Sequence, residues 1–210
     1  GVATVSGGQI SAVGEGTTQV IASYSASGVS LADTTTVVVQ RAQLTALSGT
    51  GQSGVVAAAL PVPLVVQLVD AAAAAIRDSG ITVIFGVASG GGHFGLATDT
   101  LRTADTVRTD IQGQARTTGT LGKVAGGNAF SAGGTGLAGS AVAFAATGTP
   151  APVRTIAADS GQAQTDTVAK TLSKAFVVAA RDTFGNAVSG VPVRFVVTAG
   201  GGKVGGDRTR

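Results

Sequence analysis

The chain has 210 residues, enough for one or two ordinary domains, and its 33 glycines, abundant Val and Thr and few helix-favouring residues predict an all-β fold. Because Cys is absent, disulfides and thiolate metal sites are excluded. The net charge of +3 is spread without a basic run, which argues against nucleic acid as a partner.

Residues 1–40 predict four short strands, at 2–5, 10–13, 18–24 and 34–39, separated by glycine turns such as Gly7-Gly8. Strands of this length and spacing are typical of a small sandwich. The pattern V-A-T-V-S-x-G-x-I-x-A-V-G-x-G-T, which starts at Val2, resembles the C-terminal half of a group 2 bacterial immunoglobulin-like domain. The resemblance implies that the first half of this domain precedes Gly1.

Residues 41–150 predict a complete sandwich. The expected strands cover residues 43–47, 54–60, 64–70, 81–87, 106–109, 114–121, 129–132 and 140–146. The strand 64–70 is apolar on both faces, whereas 81–87 alternates, so that Ile81, Val83, Phe85 and Val87 are expected to face inward. Pro150 and Pro152 mark a linker.

The pattern of residues 41–150 begins again in residues 151–210. S-G-x-x-Q occurs at 48–52 and at 160–164, and Asp70 matches Asp182, 112 residues later. From Gly80 and Gly190 onward the spacing is 110, so two extra residues are expected in the first copy. Both ITVIFGVASGGG (81–92) and VPVRFVVTAGGG (191–202) predict a strand that ends in three glycines. A period near 110 fits one immunoglobulin-sized sandwich per repeat.

These two copies resemble the group 1 bacterial immunoglobulin-like domain of invasin and intimin. The resemblance is carried by D-x-x-G-N-x-V-S-G-V-x-V-x-F at 182–195, T-D-x-x-G-x-A at 109–115 and A-G-G-N-A-F-S-A at 125–132. We therefore divide the chain into a partial domain (1–40), a complete domain (41–150) and a partial domain (151–210). Since half a sandwich cannot bury a core, the natural chain is expected to extend beyond both ends.

One segment departs from the repeat. The first copy has alanines at residues 71–75, where the second has Thr183-Phe184-Gly185-Asn186. Because poly-alanine is a poor turn sequence, we expect an irregular, divergent loop there.

No catalytic, cofactor or metal site is predicted. His93 is the only histidine and has no Cys or second His to join it in a metal site, so it is interpreted as a loop residue. The glycine triplets lack the Lys and Ser/Thr that follow in a phosphate-binding loop, and are interpreted as turns. Five aspartates that precede or follow strands are interpreted as turn residues, with calcium at a domain junction as the alternative: Asp70, Asp78, Asp99, Asp105 and Asp110.

A membrane span is not predicted. The apolar stretch 55–76 has the length to cross a bilayer, but it contains Pro61, Pro63, Gln67 and Asp70. Membrane association is expected only through other parts of the protein or through partners.

The resemblance implies a non-catalytic structural or adhesive segment of a larger bacterial surface or secreted protein. It implies an extracellular or cell-surface location, with exposure on the periplasmic side as the alternative, and protein partners. Two other functions remain open: an accessory subunit that docks on and stabilises a larger complex, and a carbohydrate-binding appendage of an enzyme. Sugar-binding sandwiches usually present aromatic side chains, whereas here Tyr24 is the sole Tyr and Trp is absent.

Overall fold

The computed structural model describes residues 1–6, 8–95, 102–139 and 141–205, and the protein is all-β, as predicted. Gly7 of the first predicted turn, Asp99, Ser140 at the start of a predicted strand, and residues 206–210 lie outside the described residues. The strands in the described part are β1 (Ala3–Ser6), β2 (Gln9–Ala12), β3 (Gly16–Ala26), β4 (Val29–Val39), β5 (Gln43–Ser48), β6 (Gln52–Val55), β7 (Leu64–Val69), β8 (Thr82–Ser89), β9 (His93–Phe94), β10 (Ala104–Arg108), β11 (Gln114–Thr117), β12 (Gly119–Thr120), β13 (Gly126–Gly133), β14 (Val142–Thr149), β15 (Thr155–Ser160) and β16 (Val177–Arg181).

Strands β5 to β14 build a two-sheet sandwich. One sheet has the order β10-β8-β13-β14-β6, and the other has the order β11-β7-β5. The pairings are antiparallel except for β14 with β6, which is parallel. The short pair β9 and β12 adds a further antiparallel ladder, with His93 opposite Thr120.

Alternating side chains from both sheets form one core. In β8, Val83 and Phe85 are fully buried while Ile84 between them is exposed, which confirms the predicted inward face. In β7, the sequence LVVQLV is buried almost throughout, which confirms a strand that is apolar on both faces. Four phenylalanines are the largest fully buried side chains, and they lie in two pairs: the ring centroids of Phe85 and Phe144 are 6.4 Å apart, and those of Phe94 and Phe130 are 5.6 Å apart.

Most predicted strands of residues 41–150 are confirmed to within a few residues, but the predicted bounds of two strands are wrong. The strand predicted at 54–60 ends at Val55, because Ala57 takes a φ of 60° and the chain turns there. Leu60 then donates its amide to Gly119 O at 2.8 Å, away from the β6–β14 pairing. The strand predicted at 114–121 divides into β11 and β12, because β11 pairs with β7 whereas β12 pairs with β9.

Residues 1–40 form two antiparallel hairpins, β1–β2 and β3–β4, where four strands were predicted. The eleven residues of β3 pair with the eleven of β4 without a shift in register. Their large side chains are mostly exposed, including Ile21, Tyr24 and Leu31.

In residues 151–205, β15 pairs with β16 as β5 pairs with β7 in the first copy. The strand predicted at 191–197 is wrong: this segment belongs to no ladder. Its counterpart β8 is held by β10 and β13, and in the described residues no strands of this kind lie beside 191–197. Without them, Phe195 is 39% exposed, whereas Phe85 at the matching position is fully buried.

The alanines at 71–75 do not form the irregular loop that was expected. Asp70 donates its amide to Ala74 O at 2.9 Å, and its Oδ1 accepts the amides of Ala72 and Ala74 at 2.9 and 2.8 Å. Asp182 makes the same three contacts within residues 182–186. The carboxylate therefore supplies the turn, and the identity of the residues between matters less than the sequence suggested.

The two extra residues of the first copy lie just after this turn. Ile76 donates to Leu68 O, and Val188 donates to Ala180 O, both at 2.9 Å and still 112 residues apart. The spacing is 110 by Gly80 and Gly190. The insertion is therefore confined to residues 77–79.

Ala73→Gly is expected to stabilise the protein by roughly 0.5–1 kcal/mol, because Ala73 has a φ of 63°. A left-handed alanine costs about 1–2 kcal/mol, which exceeds the roughly 0.4–1 kcal/mol that the freedom of glycine in the unfolded chain costs. Gly185 occupies the same position of the Asp182 turn. Thermal or denaturant unfolding of the full chain measures the change. The neighbouring exposed Ala72→Gly serves as the control, and it should lose about 0.4–1 kcal/mol because glycine there adds only freedom to the unfolded chain. Equal effects of the two substitutions would contradict the explanation.

Candidate functional site

The glycine triplets, which were weighed above as phosphate-binding loops, form turns. The Gly90-Gly91-Gly92 turn follows β8, with φ values of 83° at Gly90 and 69° at Gly91. Gly200 and Gly201 of the second copy have 83° and 66°, so the turn recurs although the second strand has no ladder. His93 is half-buried in strand β9, opposite Thr120, so its interpretation as a loop residue is wrong. The predicted turn function of the triplets therefore agrees with their geometry.

Gly92 also lets two segments approach each other. A Cβ atom placed on Gly92 would lie 2.7 Å from Thr120 O and 2.9 Å from Cζ of Phe130. Both distances are shorter than van der Waals contact, so a side chain at this position would displace the strand or the core ring. The glycine is thus required by packing rather than by a ligand.

Two of the predicted turn aspartates, Asp70 and Asp110, accept backbone amides in turns, whereas Asp105 lies within β10, so its assignment to a turn is wrong. Asp110 accepts the amides of Gln112 and Gln114 at 2.9 and 3.0 Å, and Asp105 accepts the hydroxyl of Thr117 at 2.6 Å. Thr109 donates its hydroxyl to the backbone carbonyl of Asp78 at 2.8 Å. In the described residues, no three of His, Cys, Asp and Glu come together in a group that could hold a metal ion.

A cluster of polar contacts that the sequence did not predict lies between the complete repeat and the repeat that follows it. Asn186 accepts the amide of Ala125 at 2.9 Å and donates its side-chain amide to Lys123 O at 2.8 Å. Asp182 accepts the amide of Ala151, in the linker, at 2.9 Å. We call these residues and the segment 122–126 the second junction.

Asp182 is the centre of this cluster. It is 3% exposed, and it accepts four hydrogen bonds: Oδ1 from the amides of Phe184 and Asn186, and Oδ2 from the amide of Ala151 and the side-chain amide of Asn186. Burial alone would raise the pKa of the Asp182 carboxyl, but these hydrogen bonds outweigh it and hold the pKa below its ordinary value of 3.8. The ionised carboxylate thus ties the turn to the linker.

The junction between residues 1–40 and the complete repeat is built differently. Arg41 donates from Nη2 to Glu15 Oε2 at 2.7 Å and from its backbone amide to Glu15 Oε1 at 3.2 Å. The hydrogen bond from the Arg41 side chain is the main cause that lowers the pKa of Glu15. Both side chains remain about half exposed, beside an open cavity of about 410 Å³. This is the first junction.

Sequence reasoning missed the second junction. The signal was present, because Asn186 belongs to the D-x-x-G-N pattern and lies where the first copy has Ala74. Its partners Lys123 and Ala125 contribute only backbone atoms. Since every residue has these atoms, the residue types at 123 and 125 give no indication of the contact. A sequence comparison of the two copies identifies the difference but not the contact.

No protein-family model and no curated protein matches this chain, so its resemblance to the bacterial immunoglobulin-like families stays a prediction. Among solved structures, domains 4–9 of the surface layer protein SbsC are similar at 17% identity and a TM-score of 0.41, over 86% of this chain and 26% of that one. Two structures of a Parabacteroides merdae β-glucuronidase, one with glycerol in its active site, are similar at 17% identity. Their TM-scores are 0.33 and 0.32, over 66% and 63% of this chain and 17% and 16% of theirs. Similarity at these levels assigns neither a family nor an activity.

In the described residues, no helix is long and apolar enough to cross a membrane.

Gly92→Ala is expected to destabilise the complete repeat by about 1–3 kcal/mol, because the added methyl group overlaps Thr120 O and the Phe130 ring. Chemical denaturation of the full chain measures the loss. Gly127→Ala is the matched control, since a Cβ at Gly127 meets nothing within 4 Å. Destabilisation by Gly127→Ala as large as that by Gly92→Ala would refute the packing explanation.

The second junction is expected to weaken in acid. Because the pKa of Asp182 is lowered in the folded protein, its contribution is complete above the unfolded pKa and is lost as the pH falls through the folded value. The amide resonance of Ala151, which donates to this carboxylate, should therefore titrate with a midpoint below 3.8. NMR titration of the full chain measures this midpoint. The transition should vanish in Asp182→Asn, and its persistence there would show that another group causes it.

Proposed function

We propose that this chain is a non-catalytic structural segment of a larger bacterial surface or secreted protein built from tandem β-sandwich repeats. In this role it acts as a stalk or protein-interaction module, outside the cell or at its surface. Its partners are proteins: neighbouring repeats along the chain, and a ligand or an assembly that the whole protein contacts.

The observation that carries this proposal is the recurrence of whole hydrogen-bonded units. Gln52 donates to Gly49 O and Val62 O at 2.6 and 2.8 Å and accepts the amide of Val62 at 2.8 Å. Gln164 makes the same three contacts, with Gly161 O, Lys174 O and the amide of Lys174, at 2.7, 2.8 and 2.9 Å. Each residue of the Gln52 unit lies 112 positions before its counterpart in the Gln164 unit, which is also the spacing between the Asp70 and Asp182 turns. Repeats that reproduce such contacts are typical of arrays in which each module stacks on its neighbour.

The character of the polar groups also supports a structural role. In the described residues, every buried side-chain nitrogen or oxygen has a hydrogen-bond partner. The carboxylates of Asp70, Asp110 and Asp182 accept backbone amides, and this use stabilises turns. None of these contacts forms the nucleophile–base pair that acyl-transfer or hydrolytic chemistry requires.

Surface labelling tests the proposed location. Antibodies raised against the 210-residue chain should label intact, unpermeabilised cells that produce the whole protein, or should detect the protein in their culture medium. A cytoplasmic protein of the same cells is the control, and it should be detected only after permeabilisation. Detection of this chain only after permeabilisation, with none in the medium, would overturn the surface or secreted assignment.

A further inference from the structure

The two Asp turns have the same backbone hydrogen bonds but differ in the side chain at the fifth position. Ala74 donates its amide to Asp70 Oδ1 at 2.8 Å, and Asn186 donates its amide to Asp182 Oδ1 at 2.9 Å. The turn therefore forms with either residue. The side-chain amide of Asn186 donates both to Asp182 Oδ2, within the turn, and to Lys123 O, each at 2.8 Å, and its carbonyl oxygen accepts the amide of Ala125, so this side chain joins the turn to the preceding repeat.

The segment that receives Asn186 is fixed from within its own repeat. Asn128 is 3% exposed, accepts the amide of Gly122 at 2.9 Å and donates to Gly126 O at 3.3 Å. These two contacts hold both ends of the segment 122–126. The segment thus presents one acceptor, the carbonyl of Lys123, and one donor, the amide of Ala125. The two groups lie close enough together for a single carboxamide to bind both.

We propose that Asn186 docks its repeat onto the 122–126 segment of the preceding sandwich, and that the residue at this turn position decides whether a repeat is fixed on its predecessor. The partner surface is the backbone of another repeat of the same chain. Asn supplies one acceptor and one donor, which match the Ala125 amide and the Lys123 carbonyl. Alanine at the same position, as in Ala74, supplies neither.

The two junctions of this chain then differ in kind. At the second junction, the contacts use a buried carboxylate and a half-buried carboxamide. In the described residues, the hydrogen bonds across the first junction join Arg41 to Glu15, and both side chains are exposed to solvent. Salt screens an exposed ion pair, but it screens buried or partly buried groups, such as the Asp182 carboxylate, much less. The first junction is thus more sensitive to ionic strength than the second.

This inference rests on the tandem-repeat part of the proposed function and not on the cellular location. Surface labelling can therefore fail while the docking contact stands, and the docking contact can fail in a protein that is found at the cell surface.

Amide hydrogen exchange of the full 210-residue chain, followed by NMR, tests the proposal. In Asn186→Ala, the Ala125 amide should exchange on the order of tenfold faster, because it loses its hydrogen-bond acceptor. Core amides such as that of Phe130 should keep their protection, which shows that the sandwich remains folded. Lys123→Ala is the matched control: its exposed side chain makes no contact with Asn186, so Ala125 should exchange as in the unchanged protein.

A second measurement separates docking from a local effect on Ala125. Backbone ¹⁵N relaxation should show the 41–150 and 151–205 segments tumbling together in the unchanged chain and moving independently in Asn186→Ala. Added salt should leave the tumbling of these two segments unchanged. The proposal is overturned if Asn186→Ala leaves both the Ala125 exchange and the joint tumbling unaltered, or if Lys123→Ala changes them as much as Asn186→Ala does.

Discussion

The structure depends on strand pairing: a strand buries its apolar face only where neighbouring strands complete the sheet around it. Phe85 is fully buried because β8 lies between β10 and β13 and faces the aliphatic side chains of β7. Phe195, at the matching place in the second copy, has no such neighbours in the described chain and is 39% exposed. Burial of a phenylalanine is worth about 1.5–3 kcal/mol. The same local sequence therefore gives a ladder in one copy and an unpaired segment in the other.

This dependence also explains what sequence reasoning could and could not establish. Alternation located β8 and its inward face, since Val83 and Phe85 require a core whichever strands surround them. It could not locate the ends of strands that change partners, such as the division at Thr118. It could not foresee that the alanines at 71–75 form an ordinary turn, because the Asp70 carboxylate, not the intervening residues, satisfies the backbone. Nor could it find the second junction, where the partners of Asn186 are backbone groups.

Several hydrogen-bonded units and glycine turns occur in both copies of the repeat. The Gln52 and Gln164 contacts, the two Asp turns and the two glycine triplets have nearly the same geometry, although the side chains around them differ. All of them provide hydrogen-bond partners or backbone conformations that strands and turns cannot supply for themselves. A glycine triplet or an aspartate in such a chain is thus explained by backbone requirements before any ligand is invoked.

The junctions are where two copies of one fold acquire different behaviour. A linker and an exposed ion pair hold the orientation of a repeat only weakly, because solvent and salt compete for both charges. A repeat whose turn donates to and accepts from its neighbour's backbone has its orientation set by two hydrogen bonds with opposite polarity, which resist rotation as well as separation. A single side chain, Asn186 against Ala74, separates these cases, while the backbone hydrogen bonds of the turn stay the same.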